Sequence, residues 1–340
     1  MAAVVGKENL RRTGGYLVQV LAVAACYYAA GRLGLLRELT VEGTVVTPIW
    51  PPTGVAVAAL LIFGLGCWPG ITLGAFFVIL SLTTPDIYVL GVLAGNTLAP
   101  VCAALLLRRA RFHMDLGRLR DGVSLVFLGA LTAMLISSTI GVGLQVVTGD
   151  LAAQSFWPVW LAWWVGDAMG VLIVTPLLLL LHRARWPPPL ARWKEATALA
   201  VVACCTVPLA VYSSISLLFP VYPLIVWAAL RFQLVGSALC ALLTSVVATV
   251  AATDGAGAFA GLSRIEVMVK LQAFNGTMAL TALLLSALIT EQRNTRNSVE
   301  KACQELAEVL EYLTEGDAPS PRSYLGTDNT DENSWPTGTQ

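Results

Sequence analysis

One carboxylate in an otherwise apolar segment is the side chain of this sequence best suited to chemistry. Asp167 lies near the middle of FWPVWLAWWVGDAMGVLIVTPLLLLL, residues 156–181. A charged group halfway across a bilayer is costly, so it is expected to face the interior of a helix bundle with a partner or water beside it. Asp167 is therefore the first candidate for a ligand-binding residue. The alternative is a structural role, in which it only pairs with a neighbouring helix.

Uncharged polar side chains are predicted to lie at a similar depth. Asn96 and Asn275 each follow about ten residues of their own apolar segments, and a helix rises about 1.5 Å per residue. With Asp167 they predict a polar pocket between helices, with tryptophans as walls. The further candidate lining residues are Thr97, Gln272, Trp50, Trp163 and Trp164. The alternative for both asparagines is that they hydrogen-bond across helices and stabilise their packing.

Other kinds of site have little support in the sequence. The seven cysteines form no CxxC or Cys/His spacing, so we predict no metal, no disulfide and no cofactor. Apolar segments hold no Ser/His pair and no paired carboxylates, which argues against an intramembrane enzyme. The net charge is zero, so no basic surplus points to nucleic acid.

The elements that must position these residues are membrane helices. The chain has 56% hydrophobic and only 12% charged residues, against about 25% charged in ordinary globular domains. We predict an all-α, polytopic helix bundle in the lipid bilayer, with about ten transmembrane helices (eight to ten). The predicted segments are 16–36, 48–63, 68–82, 87–107, 123–147, 156–181, 196–218, 222–232, 235–252 and 267–289.

The distribution of basic residues predicts the orientation. With ten spans, both termini and the basic links that follow the fourth and sixth spans lie on one side, which the positive-inside rule makes cytoplasmic. The four Lys and Arg residues left for the other side are Arg32, Arg37, Arg264 and Lys270. Arg231 fits at the cytoplasmic end of the eighth span. The first span resembles a signal peptide, but so many spans follow that we expect an uncleaved helix in the cell membrane.

Prolines and glycines indicate how the helices begin and pack. Pro51, Pro52 and Pro69 suit the first turn of a helix, and Gly54 allows close helix contact. The alternative is that the WPPTG segment is a broken helix whose free amides point into a site. Pro176 is expected to kink the sixth span beyond Asp167 and to open space beside the carboxylate.

The chain is predicted to divide into four parts and to contain a repeat. They are a short cytoplasmic amino terminus (1–15), a membrane domain (16–291), a cytoplasmic helix (292–314) and a disordered tail (315–340). The first four and last four spans share a proline-led pair between two longer helices, a possible parallel repeat. The cytoplasmic helix carries Val299, Cys303, Leu306, Leu310 and Leu313 at coiled-coil spacing, which favours a homodimer.

Several blocks, in order, resemble the type-one membrane-associated sensor (MASE) domain of bacteria over residues 16–291. They are WPPTG with its apolar run, WPGITLGAFF, GNTLAPVCAALLLRR, WWVGDAMGVLIVTPLLLL and PLIVWAALRF. The resemblance implies a sensory input module that is coupled through a helix to cytoplasmic diguanylate cyclase, EAL or histidine kinase domains. The positions that match the family's motifs are Trp50, Pro51, Pro52, Gly54, Asn96, Trp164, Asp167 and Pro176.

The printed sequence departs from the usual architecture of that family. It contains no GGDEF, EAL, phosphoacceptor or glycine-rich nucleotide motif. We therefore expect a non-enzymatic sensor that binds a small ligand, ion or lipid and signals to a separate cyclase-type or kinase-type effector, or through dimerisation. The alternative is a transporter or channel-like protein that uses Asp167.

Overall fold

A computed structural model describes residues 2–82, 87–184, 192–213 and 217–316, and within these ranges the side chains of residues 14–82, 88–184, 192–213 and 217–311. The chain divides into two compact units, Met1–Gln292 and Arg293–Gln340. Residues 317–340, which are half of the second unit and nearly all of the tail predicted to be disordered (315–340), lie outside the described residues. The described elements belong to the first unit, except for the part of α11 beyond Gln292.

Helices dominate the described chain, as predicted. Their bounds are α1 Ala2–Gly34, α2 Pro51–Phe63, α3 Trp68–Leu80, α4 Ile87–Arg109, α5 Leu119–Ser124, α6 Leu135–Thr148, α7 Phe156–Met169, α8 Thr175–Arg183, α9 Trp193–Tyr212, α10 Val221–Thr253 and α11 Arg264–Gly316. Two π-helical segments, Leu125–Thr132 and Gly170–Val174, join α5 to α6 and α7 to α8. Each joined pair therefore forms one long, locally widened helix.

Seven helical stretches in the described ranges are long and apolar enough to cross a membrane. They are Gly14–Arg37, Tyr88–Arg109, Leu119–Thr148, Ala153–Arg183, Trp193–Tyr212, Val221–Thr253 and Arg264–Glu311. The apolar helices α2 and α3 have 13 residues each, about 20 Å at the usual rise per residue. That is shorter than the hydrocarbon core. The count of about ten spans is therefore not confirmed, and neither is the parallel repeat.

Helix α10 changes direction where the sequence predicted two separate segments. Gln233 has φ 53° and ψ −139°, which is not helical. A Cβ on Gly236 would lie 2.6 Å from the Phe232 Cβ and 3.0 Å from the Ala228 carbonyl oxygen. Ala228 and Gly236 are eight residues apart, so a straight helix would separate them by about 12 Å along its axis. Their close approach shows that the chain folds back on itself at Gln233.

A β-hairpin is the one element of the described chain that the all-α prediction missed. Strand β1 (Leu39–Val41) pairs antiparallel with β2 (Thr44–Val46), and Val41 lies opposite Thr44. The turn residues Glu42 and Gly43 both have positive φ, as a two-residue type I′ turn requires. The hairpin is anchored to the bundle, since the Ser155 hydroxyl donates to Glu42 and the Thr44 hydroxyl to Gln145.

Close helix contacts depend on glycines. A Cβ on Gly70 would lie 2.5 Å from the Val20 carbonyl oxygen, and one on Gly74 would lie 2.8 Å from that of Ala24. The backbones of α1 and α3 therefore approach more closely than any larger side chain would allow. This contact buries Tyr27, which is 1% exposed, between α1, α3 and the start of α2.

Candidate functional site

Asp167 is buried near the end of α7 and is held by two hydroxyl groups from different helices. Its side chain is 1% exposed. The Thr53 hydroxyl of α2 donates to Oδ1 at 2.8 Å, and the Ser137 hydroxyl of α6 donates to Oδ2 at 2.5 Å. Each carboxylate oxygen therefore accepts from a neutral hydroxyl, the Trp163 side chain adds a third neutral donor, and no ion pair with Asp167 occurs within the described ranges.

The start of α2 reaches Asp167 because glycines on both sides let two backbones touch. The Trp50 amide donates to the Gly166 carbonyl at 2.9 Å. A Cβ on Gly170 would lie 1.9 Å from the Trp50 carbonyl oxygen, and one on Gly54 would lie 2.2 Å from the Gly170 carbonyl oxygen. These contacts support the packing role proposed for Gly54.

The alternative for WPPTG, free amides that point into a site, is not favoured by the geometry. Pro51 and Pro52 occupy the first turn of α2, as predicted, and have no N–H to offer. The Thr53 amide, the next in the chain, donates to the Trp50 carbonyl. What this turn offers to Asp167 is the Thr53 side chain.

The helix that carries Asp167 widens directly after it. The π segment Gly170–Val174 begins three residues beyond the carboxylate, and π segments often occur at functional sites. The widening lies before Pro176, which the sequence predicted as the kink. Pro176 is in the first turn of α8 and lines a small apolar void beside Leu172 and Ala279, not the space next to Asp167.

A cavity of about 230 Å³ adjoins Asp167. It lies between the hairpin, the ends of α3, α4 and α6, and α7. Apolar and aromatic side chains form most of its wall. The lining residues are Leu35, Thr44, Val45, Val46, Thr47, Trp50, Val78, Ile79, Leu82, Tyr88, Val92, Asn96, Gln145, Trp163, Gly166 and Asp167.

A short polar chain closes part of the cavity wall. The Thr44 hydroxyl donates to Gln145 Oε1 at 3.3 Å, and Gln145 Nε2 donates to the Tyr88 hydroxyl at 3.0 Å. These contacts join the hairpin to α6 and α4. The polar groups that face the cavity here are therefore already engaged with one another.

Four of the eight predicted site residues line this cavity. They are Asp167, Asn96, Trp50 and Trp163. Trp163 lies one helical turn before Asp167, so both face the same space. The Asn96 amide nitrogen donates one of its two N–H groups to the Val92 carbonyl at 3.0 Å, and its carbonyl oxygen is available to a ligand as an acceptor.

The other four predicted residues lie elsewhere in the bundle. The Thr97 hydroxyl donates to the Leu93 carbonyl, and Gln272 Nε2 donates to the Ala162 carbonyl at 2.9 Å. The Trp164 indole donates to the Leu131 carbonyl at 2.8 Å, within the π segment Leu125–Thr132. Trp164 and Gln272 thus tie α7 to its neighbours rather than forming walls of the cavity.

Asn275 is the predicted residue that the structure separates most clearly from Asp167. It is fully buried in α11, outside the cavity lining, and neither atom of its amide group has a hydrogen-bond partner in the described part of the chain. The predicted pairing of Asn275 with Asn96 around one pocket is therefore not found.

The remaining structural positions are Pro69 and Arg231. Pro69 lies in the first turn of α3. Arg231 lies near the fold-back of α10, and its guanidinium is 2.7 Å from the Glu195 carboxylate, with both side chains more than a third exposed. Both residues serve the packing and ends of helices.

Sequence reasoning missed the donors that hold Asp167 and the hairpin that covers it. Thr53 and Ser137 are ordinary hydroxyls in apolar helices, and only the tertiary fold shows that they meet at one carboxylate. The hairpin had a signal, since β-branched residues flank Glu42-Gly43. No group of three or more metal-ligating side chains occurs within the ranges that the structure describes.

A comparison with family models gives one match that covers most of the chain. Residues 19–293 match the model of MASE1, the membrane-associated sensor 1 domain. No match to a curated protein or to a solved structure was found. The matched range includes Asp167 and every residue that lines its cavity. The chain therefore belongs to the MASE1 family of membrane sensory domains.

Proposed function

We propose that this multi-pass membrane protein is a sensory input component of the cell membrane, with both termini in the cytoplasm. A small ligand in the Asp167 cavity would change the packing of α7, and α11 would carry that change to a second copy or to a separate cytoplasmic effector of the cyclase or kinase type. A ligand produces such a change only if it binds one state of the helices more tightly than the other.

The single observation that carries this proposal is that one helix, α7, both lines the cavity and contacts α11. It bears Asp167 and Trp163 on its cavity face. It also accepts a buried hydrogen bond from Gln272 of α11 at the Ala162 carbonyl, five residues before Asp167. A shift of α7 therefore acts directly on the helix that continues to Gly316.

The distal part of α11 supports an output through helix pairing. Val299 and Leu306 are 55% and 63% exposed, and Cys303 between them is exposed as well. These side chains recur at steps of four and three, so they form one apolar stripe on the helix. Such a stripe suits a second copy of the same helix or an effector helix.

Disulfide crosslinking through Cys303 tests the proposal. Membranes that contain the full chain are treated with a mild oxidant, and the yield of crosslinked dimer is compared between wild type and Asp167→Asn. A photoactivatable crosslinker on Cys303, with mass spectrometry, identifies any effector captured at the same position. Cys303→Ser is the control for the other exposed cysteines.

The sensor proposal expects Asp167→Asn to change the crosslinked products at least about twofold, because it shifts the equilibrium between two states of α11. The folded variant must be recovered from the membrane in wild-type amount. Identical products from both chains would reject the sensor role.

A transporter is the second candidate, and a carboxylate without a cationic partner inside an apolar bundle favours it. Purified protein in liposomes would then support flux of a labelled cation or proton, and Asp167→Asn would abolish it. If neither labelled cations nor protons cross the liposome membrane, the transporter function is rejected.

A further inference from the structure

The charge of the cavity wall indicates which ligands the site can hold. Among the described residues that line it, Asp167 is the only acidic one, and none is Lys, Arg or His. Its hydrogen-bond donors are all neutral: the hydroxyls of Thr53 and Ser137, and the side chain of Trp163. A buried carboxylate is stable when a positive charge compensates it, and nothing in the cavity wall supplies one.

The surroundings of the cavity add negative charge. Asp150, exposed after α6, lies close enough to Tyr88 to interact with it electrostatically. Glu42 is exposed at the tip of the hairpin. Arg37, two residues after the lining residue Leu35, is paired with Asp254 at 2.8 Å. Carboxylates around a concave site raise the local concentration of cations.

The walls suit a cation that also has an apolar body. Trp50, Trp163 and Tyr88 contribute aromatic rings, and the rest of the wall is largely aliphatic. Aromatic faces attract ammonium groups as well as apolar surface. The Asn96 carbonyl oxygen adds an acceptor that can take a hydrogen bond from an ammonium group, while one of its two N–H groups is held by the Val92 carbonyl.

We propose that the Asp167 cavity binds a small organic monocation, an amine or quaternary ammonium compound, with its charged group at Asp167 and its apolar body against Trp50 and Trp163. This inference rests on the cavity being the sensory site proposed above. It names the chemical class of the ligand, which neither the family match nor the cavity volume gives.

A series of probes with one shape and three charges tests the proposal. Benzylamine, benzyl alcohol and benzoate share a ring and differ in carrying a positive charge, no charge and a negative charge near neutral pH. Binding to the full chain in lipid nanodiscs is measured by titration calorimetry, with empty nanodiscs subtracted. We expect benzylamine to bind at least about tenfold more tightly than benzyl alcohol, since one charge-assisted hydrogen bond is worth that factor or more. Benzoate should not bind.

Two isosteric variants separate the cavity carboxylate from a buried carboxylate elsewhere. Asp167→Asn should lower benzylamine affinity at least about tenfold and leave benzyl alcohol within about twofold. Retained alcohol binding shows that the variant is folded. Asp121→Asn is the matched control, because Asp121 is 2% exposed, accepts the His113 amide and lies outside the cavity lining. Its benzylamine affinity should equal that of the wild type.

The wild-type series decides the outcome even if Asp167→Asn does not fold. Equal binding of amine and alcohol, or preferred binding of benzoate, would overturn the monocation proposal. A flat series together with Asp167-dependent crosslinking through Cys303 would leave the sensor proposal standing without this ligand class. Selective benzylamine binding with unchanged crosslinking would support the ligand class and reject the sensor.

Discussion

Gly170→Ala should destabilise the protein more than any other single methyl group added to a helix near the site. The new Cβ would lie 1.9 Å from the Trp50 carbonyl oxygen, about 1.5 Å short of ordinary contact, and overpacking of this kind costs about 1–3 kcal/mol. The atom it meets belongs to the backbone. The start of α2 must therefore move as a unit.

That movement disturbs two hydrogen bonds as well as the contact. The Trp50 amide would separate from the Gly166 carbonyl, and the Thr53 hydroxyl from Asp167. A neutral bond contributes about 1 kcal/mol and one to a charged group about 1.5–3 kcal/mol. The expected loss in the free energy of unfolding is about 3.5–7 kcal/mol, a large part of the total for a typical domain.

The buried thiols of Cys67 and Cys240 report unfolding. The protein in detergent is heated with a thiol-reactive dye, and the gain above the signal of the exposed cysteines gives the transition. Gly143→Ala is the control, because a Cβ there meets nothing within 4 Å and alanine favours a helix by about 0.5–1 kcal/mol. If Gly170→Ala unfolds at the same temperature as Gly143→Ala, the close contact between Gly170 and the Trp50 carbonyl is refuted.

Three further substitutions test other parts of the fold by the same thiol assay. Gln233→Gly should stabilise the protein by about 1 kcal/mol, because residue 233 has a backbone conformation that suits glycine; a loss of stability would contradict the fold-back in α10. The Ser237 and Ser286 hydroxyls lie 2.6 Å apart between α10 and α11. A double-mutant cycle that replaces each serine with alanine should therefore give a coupling energy of about 0.5–2 kcal/mol. A coupling energy of zero would refute the contact. Ser263→Ala should cost about 1 kcal/mol, because Ser263 and Glu266 form reciprocal hydrogen bonds at the start of α11, whereas Ser263→Thr should cost less.

Composition was enough to predict the class of fold, because only helices can satisfy their own backbone in lipid. The breaks at Gly64 and Gln233 separate helices where the sequence predicted the ends of separate segments. The number of spans could not be predicted in the same way. An apolar helix of 13 residues, such as α2, can be buried in the bundle but is too short to cross a bilayer. The apolar composition of such a segment does not distinguish a buried helix from a membrane span.

The candidate site could be predicted only in part, and the reason is physical. The cost of a buried charge identified Asp167 from the sequence alone. The depth of a residue in a membrane helix does not determine which way its side chain points. Asn96 and Asn275 had the same predicted depth, yet only Asn96 lines the cavity. Thr53 and Ser137 carry no such cost, because a hydroxyl in a helix can bond its own backbone, so no sequence signal marks them.

In the proposed sensor, stability and sensing would depend on the same contacts at Asp167. The carboxylate is stabilised by donors on α2 and α6, and those helices reach it because Gly54, Gly166 and Gly170 allow backbone contact. A cation at the carboxylate would compete for the lone pairs that these hydroxyls use. Both hydroxyls have a second acceptor within reach, the Trp50 carbonyl for Thr53 and the Met134 carbonyl for Ser137. In the proposed sensor, binding would therefore free both hydroxyls from Asp167 without leaving either one unpaired, and this lowers the cost of switching.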